Sequence, residues 1–157
     1  MSKPHVSGAK GELEIINDYK CPNCNSKLLR LPASFPLFDV QCQRCLFRAQ
    51  VKTTTDCAPK DQIFGAGWDI LEKNLKAGHL IPPLIVIFNW QDKKTKKLNK
   101  KIFFFPFLTE KKNIHHRKRS HKGKRPGYPE FNYIGLRDET VPKMVLYDSS
   151  AAAKAKK

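Results

Sequence analysis

Cys21-Pro22-Asn23-Cys24 and Asp39-Val40-Gln41-Cys42-Gln43-Arg44-Cys45-Leu46-Phe47-Arg48-Ala49-Gln50-Val51-Lys52 are the stretches on which the reading of this chain turns. Two Cys-x-x-Cys pairs stand either side of a seventeen-residue gap, Asn25 to Gln41. Zinc takes four ligands in a tetrahedron, and two thiolates separated by two residues wrap it from one side. Cys21, Cys24, Cys42 and Cys45 therefore read as one four-thiolate zinc site of ribbon spacing. With four cysteine ligands no position stays open for water, so this Zn²⁺ is structural.

The second pair sits between an acid and a Gln-x-Lys. Asp39 lies three residues before Cys42, and Gln50 lies five after Cys45. If the knuckle closes an antiparallel hairpin with Cys42 opposite Cys45, Asp39 falls opposite Arg48. Alternation then keeps Gln50 and Lys52 on that same face. Asp39 and Gln50 supply hard oxygen ligands of the kind Mg²⁺ takes. Beside them, Lys52 is placed to orient or deprotonate a metal-activated water, or to steady charge on a phosphate. On its own this pattern is weak, because a strand with scattered polar residues on its wet face also matches it.

Charge points to a polyanionic partner. The chain of 157 residues carries a net charge of +16. Lys93 to Lys101 holds six lysines and no acid, and Lys111 to Arg125 holds eight Lys/Arg with His115, His116 and His121. Solvated loops would explain one such run, but two beside a zinc site favour nucleic acid. Lys118, Arg119, Lys124 and Arg125 are the expected phosphate contacts, with Tyr128 and Tyr133 beside them. Trp68 and Trp90 read as core. His5 and His79 lack ligand spacing to the cysteines, and Cys57 reads as a buried spectator thiol. Cysteine usage implies a reducing compartment. With no apolar run of membrane length and no signal-peptide core, the expectation is a cytoplasmic chain that engages no membrane.

Periodicity gives helices at Gly11–Tyr19 and Gly67–Ala77. Strands are expected at Leu37–Gln41, Leu46–Thr53, Leu84–Trp90, Ile102–Phe107, Phe131–Leu136 and Met144–Tyr147. Residues 25–36, Thr54–Phe64 and the basic Lys111–Pro129 read as irregular, the last ordered on binding. Glu14 reads as solvated. The fold class is α/β (α+β), with a mixed central sheet flanked by helices. Residues 1–148 form one domain, and 149–157 an Ala/Lys-rich tail that frays.

The order Glu12, Cys21, Cys24, Asp39, Cys42, Cys45, Gln50, Lys52 resembles the catalytic domain of DpnI-type restriction endonucleases, within the PD-(D/E)XK nuclease superfamily. The likeness extends loosely over residues 9–148, through the Ile102-Phe103-Phe104-Phe105 strand and Tyr133-Ile134-Gly135. It implies a Mg²⁺-dependent, type II restriction-like endodeoxyribonuclease that hydrolyses double-stranded DNA, with catalytic residues Glu12, Asp39, Gln50 and Lys52. Glu12 would complete the metal shell; its other reading is a charge at a helix N-terminus. The family usually places Glu where this chain has Gln50, and one charge fewer weakens metal affinity. The chain ends after the nuclease-like part, without the winged helix that adds sequence reading in the family, which leaves methylation dependence open. Cutting both strands implies a homodimer. Two other readings stand beside it: a non-catalytic zinc-ribbon nucleic-acid-binding protein, and a basic component of an RNA particle.

Overall fold

The computed structural model describes residues 3–119 and 127–150. Its elements run α1 (Lys3–Asp18), β1 (Leu28–Arg30), β2 (Val40–Cys42), β3 (Arg48–Thr54), β4 (Ile63–Gly67), α2 (Trp68–Lys76), β5 (Leu84–Gln91), β6 (Leu98–Phe105), α3 (Glu110–Asn113), β7 (Ile114–Lys118), β8 (Pro129–Tyr133) and β9 (Met144–Asp148). The result is a mixed α+β architecture. A six-stranded sheet runs β1-β2-β3-β5-β6-β9, and a three-stranded sheet runs β4-β8-β7. Among the described residues only β3 and β5 pair in parallel; the other strand pairings are antiparallel.

β5 is apolar through its first five residues because it is covered on both faces, which removes alternation from its sequence. Leu84, Val86 and Phe88 face one core with Phe103 and Phe105 of β6; Leu71 of α2 and Phe131 and Tyr133 of β8 cover that side. Ile85 and Ile87 face the other core with Ile102 and Phe104, under Ile15 of α1, Leu28, Val40 and the buried Cys21 and Cys42. Gly11 lets α1 sit close on the sheet. A Cβ there would meet Thr53 Oγ1 and Ile87 Cδ1, whereas one at Gly8 would meet nothing, so α1 crosses β3 and β5 at Gly11. α2 ends at Gly78, whose left-handed φ of 85° lets its N–H return to Leu75 O at 2.9 Å.

Several expectations are corrected. The first helix begins at Lys3, eight residues before Gly11. Strands replace irregular chain at Leu28–Arg30, at Ile63–Gly67 and at Ile114–Lys118. Each is held by pairing with another strand, a stabilisation that local propensity does not report. β7 carries His115, His116, Arg117 and Lys118 and lacks an apolar alternation; pairing with β8 makes it a strand. Residues 151–157 of the expected tail lie outside the described residues.

Candidate functional site

Two turns bring the four cysteines together. Asn25, at φ 57°, lets the first knuckle close, with Asn25 N–H donating to Cys21 O at 2.8 Å. The second knuckle joins β2 to β3 and is tied to the first by Gln43 N–H on Lys27 O at 3.0 Å. All four sulfurs lie within 4.8 Å of one another. Cys21 and Cys45 stand 3.6 Å apart, and Cys24 and Cys42 3.4 Å. A tetrahedron with metal–sulfur bonds of about 2.3 Å has edges of about 3.8 Å, so the cluster fits a metal such as zinc.

The surrounding donors fit as well. Arg44 N–H and Cys45 N–H both point at Cys42 Sγ, at 3.3 and 3.4 Å, and Asn23 Nδ2 points at Cys45 Sγ at 3.5 Å. Such donors stabilise thiolate charge and orient ligands. Without a cation the set would not ionise together: burial pushes the Cys21 thiol up to about 12, while the Ser26 hydroxyl holds Cys24 down to about 6.

Next to this knuckle, Glu12, Asp39 and Lys52 form one electrostatically coupled group, with Gln50 opposite Asp39. β2 and β3 pair Val40 with Ala49 and Gln41 with Arg48, so continuing the register sets Asp39 opposite Gln50 rather than Arg48. Asp39 N–H donates to Ala49 O at 3.0 Å. β3 then leaves β2 for β5, with Gln50 N–H on Pro83 O at 2.9 Å. The Val51 N–H, left on the opposite edge, is taken by Asp39 Oδ2 at 2.7 Å. Burial raises the Asp39 carboxyl above its ordinary value; the Val51 N–H, Lys52 and Arg30 oppose that rise, and Glu12 adds to it.

Each member has an internal partner. Glu12 Oε2 accepts from Arg30 Nε at 2.6 Å. Gln50, 4% exposed, accepts the Tyr133 hydroxyl on Oε1 at 2.7 Å. Lys52 Nζ donates to Gly65 O, the carbonyl of the residue at the β4 bulge, and lies 5.8 Å from the centre of the Phe64 ring. Burial lowers the Lys52 amine below its ordinary value, against the pull of Asp39 and Glu12. Asp39 Oδ1 and Glu12 Oε1 make no hydrogen bond to any described residue.

Other candidates fall elsewhere. Lys118 is exposed at the end of β7. Arg119 is engaged by Glu130, with Nη2 and Nε each 3.0 Å from Oε2. Lys124 and Arg125 lie outside the described residues. Tyr133 is buried on Gln50, away from any surface contact, and burial raises its hydroxyl pKa. Tyr128 donates to Asp69 Oδ1 at 3.1 Å. Trp68 and Trp90 are half-buried against the core, Trp68 stacked on His116 at 4.5 Å. Cys57 is exposed, since its polar loop leaves nothing to cover it. Glu14 is paired with Lys100 at 2.7 Å, and His79 is on the surface.

Arg30, Gly65 and Tyr133 belong to the cluster, a role that no local pattern signals. Tyr133 stands 83 residues from Gln50. Among the described residues no helix is long and apolar enough to cross a membrane. The chain matches no protein-family model, and no curated protein sequence matches it.

Proposed function

We propose that this protein is a zinc-stapled, Mg²⁺-dependent endodeoxyribonuclease of the PD-(D/E)XK restriction type. The observation that carries the reading is convergence. Glu12 from α1, Asp39 just before β2, and Gln50 and Lys52 of β3 gather where β3 changes partners, with the lysine desolvated beside two carboxylates. Desolvated, coupled titratable groups of this kind mark functional sites more often than chance. The mixed sheet with α1 and α2 against it agrees with the resemblance in the sequence.

The donors fit a hard cation. Asp39 Oδ1 and Glu12 Oε1 are free of hydrogen bonds among the described residues, and the Gln50 carbonyl keeps a second lone pair beside the Tyr133 bond. These three side chains would hold Mg²⁺, which when bound supplies a Lewis acid and an acidified water. Lys52 is anchored on Gly65 O, facing the carboxylates, where its charge orients the attacking water or steadies negative charge on the scissile phosphate. The cysteine cluster, holding Zn²⁺, fixes β2 against β3 and so fixes Asp39 against Gln50 and Lys52.

Exposed Lys118 and the lysines from Lys93 to Lys101 supply charge for a duplex; with six to ten phosphate contacts, affinity falls roughly 10³- to 10⁵-fold between low and moderate salt. Incubation of methylated and unmethylated plasmid with Mg²⁺ or Mn²⁺ tests the reading. Metal-dependent fragments that disappear in Lys52→Ala support it, and intact plasmid under every metal overturns it. One observation favours a second reading, a non-catalytic zinc nucleic-acid-binding protein: the Tyr133 hydroxyl already fills one site on Gln50. That reading expects salt-sensitive binding, no cleavage and no effect of Asp39→Ala.

A further inference from the structure

The three-stranded sheet has a second row of residues that the hydrolytic site leaves unused. Register aligns Phe64, Asn132 and His115 across β4, β8 and β7. The adjacent row, Ile63, Tyr133 and Ile114, packs inward, so alternation turns the first row away from the core. Its centre is nonetheless covered: Asn132 is 4% exposed. It lines a cleft of about 240 Å³ with Lys60, Gln62, Phe64 and Arg117.

Nothing inside the protein satisfies that amide. The Asn132 side chain makes no hydrogen bond to any described residue, and its amide is open to solvent only through the cleft it lines. Phe64 presents its ring at the same cleft and is 46% exposed. The rim is cationic. Arg117 is held by the buried Glu130 at 2.6 Å, and Glu130 also takes Arg119 at 3.0 Å, so two guanidiniums share one carboxylate. Lys60, at the other side, is bridged to Asp56 at 2.7 Å. The Phe64 ring lies against Lys52, which places the cleft beside the acidic cluster.

A flat aromatic face, an amide with its donor and acceptor turned to the cleft, and a positive rim match the three parts of a nucleotide. A base paired within a duplex has both faces covered by its neighbours. Only an unpaired or extruded base offers its face and edge together. We propose that this cleft holds one unpaired nucleobase of the bound strand, stacked on Phe64 with its edge on the Asn132 amide and its phosphate toward Arg117. This deepens the proposed nuclease reading, because it adds a preference for an unpaired base near the scissile bond.

The test is binding, in buffer without added divalent metal, of two otherwise identical DNA duplexes. One is fully paired, and the other carries a single bulged 2-aminopurine. The zinc-loaded protein is expected to bind the bulged duplex more tightly and to quench its fluorescence. Phe64→Ala, a surface change, should weaken bulged binding roughly 10- to 100-fold and abolish the quenching while leaving the paired duplex within about twofold. Phe64→Tyr should restore both. No preference in the wild-type protein, or a preference that survives Phe64→Ala, overturns the proposal. Cleavage is absent from this experiment. A bulge preference without Mg²⁺-dependent cutting keeps the subsite and removes the nuclease; cutting without the preference does the reverse.

Discussion

The cysteine cluster and the acidic cluster are neighbours on the same hairpin, yet they are finished to different degrees. At the cysteines, Asn23 Nδ2 and the Arg44 and Cys45 N–H groups point at sulfur, and such neutral donors cannot cancel the charge four thiolates would carry. That region has the donor set of a metal site such as zinc's. At the acidic cluster, Arg30 answers Glu12, the Val51 N–H answers Asp39, Tyr133 answers Gln50 and Gly65 answers Lys52. That region is self-sufficient, with oxygens to spare. On the proposed reading, the difference separates a metal that would make the fold from a metal that would use it.

The largest effect should come from breaking the cysteine side. Structural zinc sites carry about 10–16 kcal/mol of apparent binding free energy, as much as a domain's whole stability. Cys42→Ser, or exhaustive chelation, should therefore abolish cooperative unfolding followed by circular dichroism, because Cys21 and Cys42 are themselves core residues beneath α1. A chelated protein that still melts cooperatively would remove the distinction between the two regions.

Smaller effects probe how α1 and β8 complete the acidic side. Gly11→Val should cost about 1–3 kcal/mol in urea denaturation, since the new side chain meets Thr53 and Ile87 and lifts α1, with Glu12, from the sheet. Tyr133→Phe should cost about 1 kcal/mol by removing one hydrogen bond to the buried Gln50. If the Gln50 carbonyl serves a metal, Tyr133→Phe should also leave cleavage intact.

The smallest change sharpens the comparison through pH. Asp39 titrates above its ordinary value in the folded protein because it is buried. Its protonated form is therefore favoured by folding: this contribution is full below the unfolded value and is lost as pH rises through the folded one. Asp39→Asn keeps an acceptor for the Val51 N–H and has no charge to desolvate. Without magnesium, its melting temperature at neutral pH should equal or exceed that of the wild type. Wild-type stability relative to the variant should grow as pH falls through that window. A variant much less stable at neutral pH would make Asp39 a purely structural group.

How far the sequence carried depended on whether a feature is local. The Cys-x-x-Cys spacing is local, and the cluster formed where expected. Asp39, Gln50 and Lys52 share a face although the expected register was wrong. Pairing Asp39 with Gln50 in place of Arg48 is a two-residue slip, and side chains alternate with period two, so the face was conserved. The partners Arg30, Gly65 and Tyr133 were illegible because tertiary packing alone brings them in. β7 read as a loop because its exposed His115, His116, Arg117 and Lys118 show no alternation, and what holds it is β8 and the buried Glu130.

The most direct measurement is the single-turnover cleavage rate of zinc-loaded wild type and Asp39→Asn on supercoiled plasmid with Mg²⁺ or Mn²⁺, alongside their melting temperatures. The expected result is metal-dependent cutting by the wild type and a loss of roughly 10²- to 10⁴-fold in a variant that melts no earlier. Equal rates for the two proteins, or no cutting by the wild type with either metal, would contradict the assignment of this cluster as a hydrolytic site.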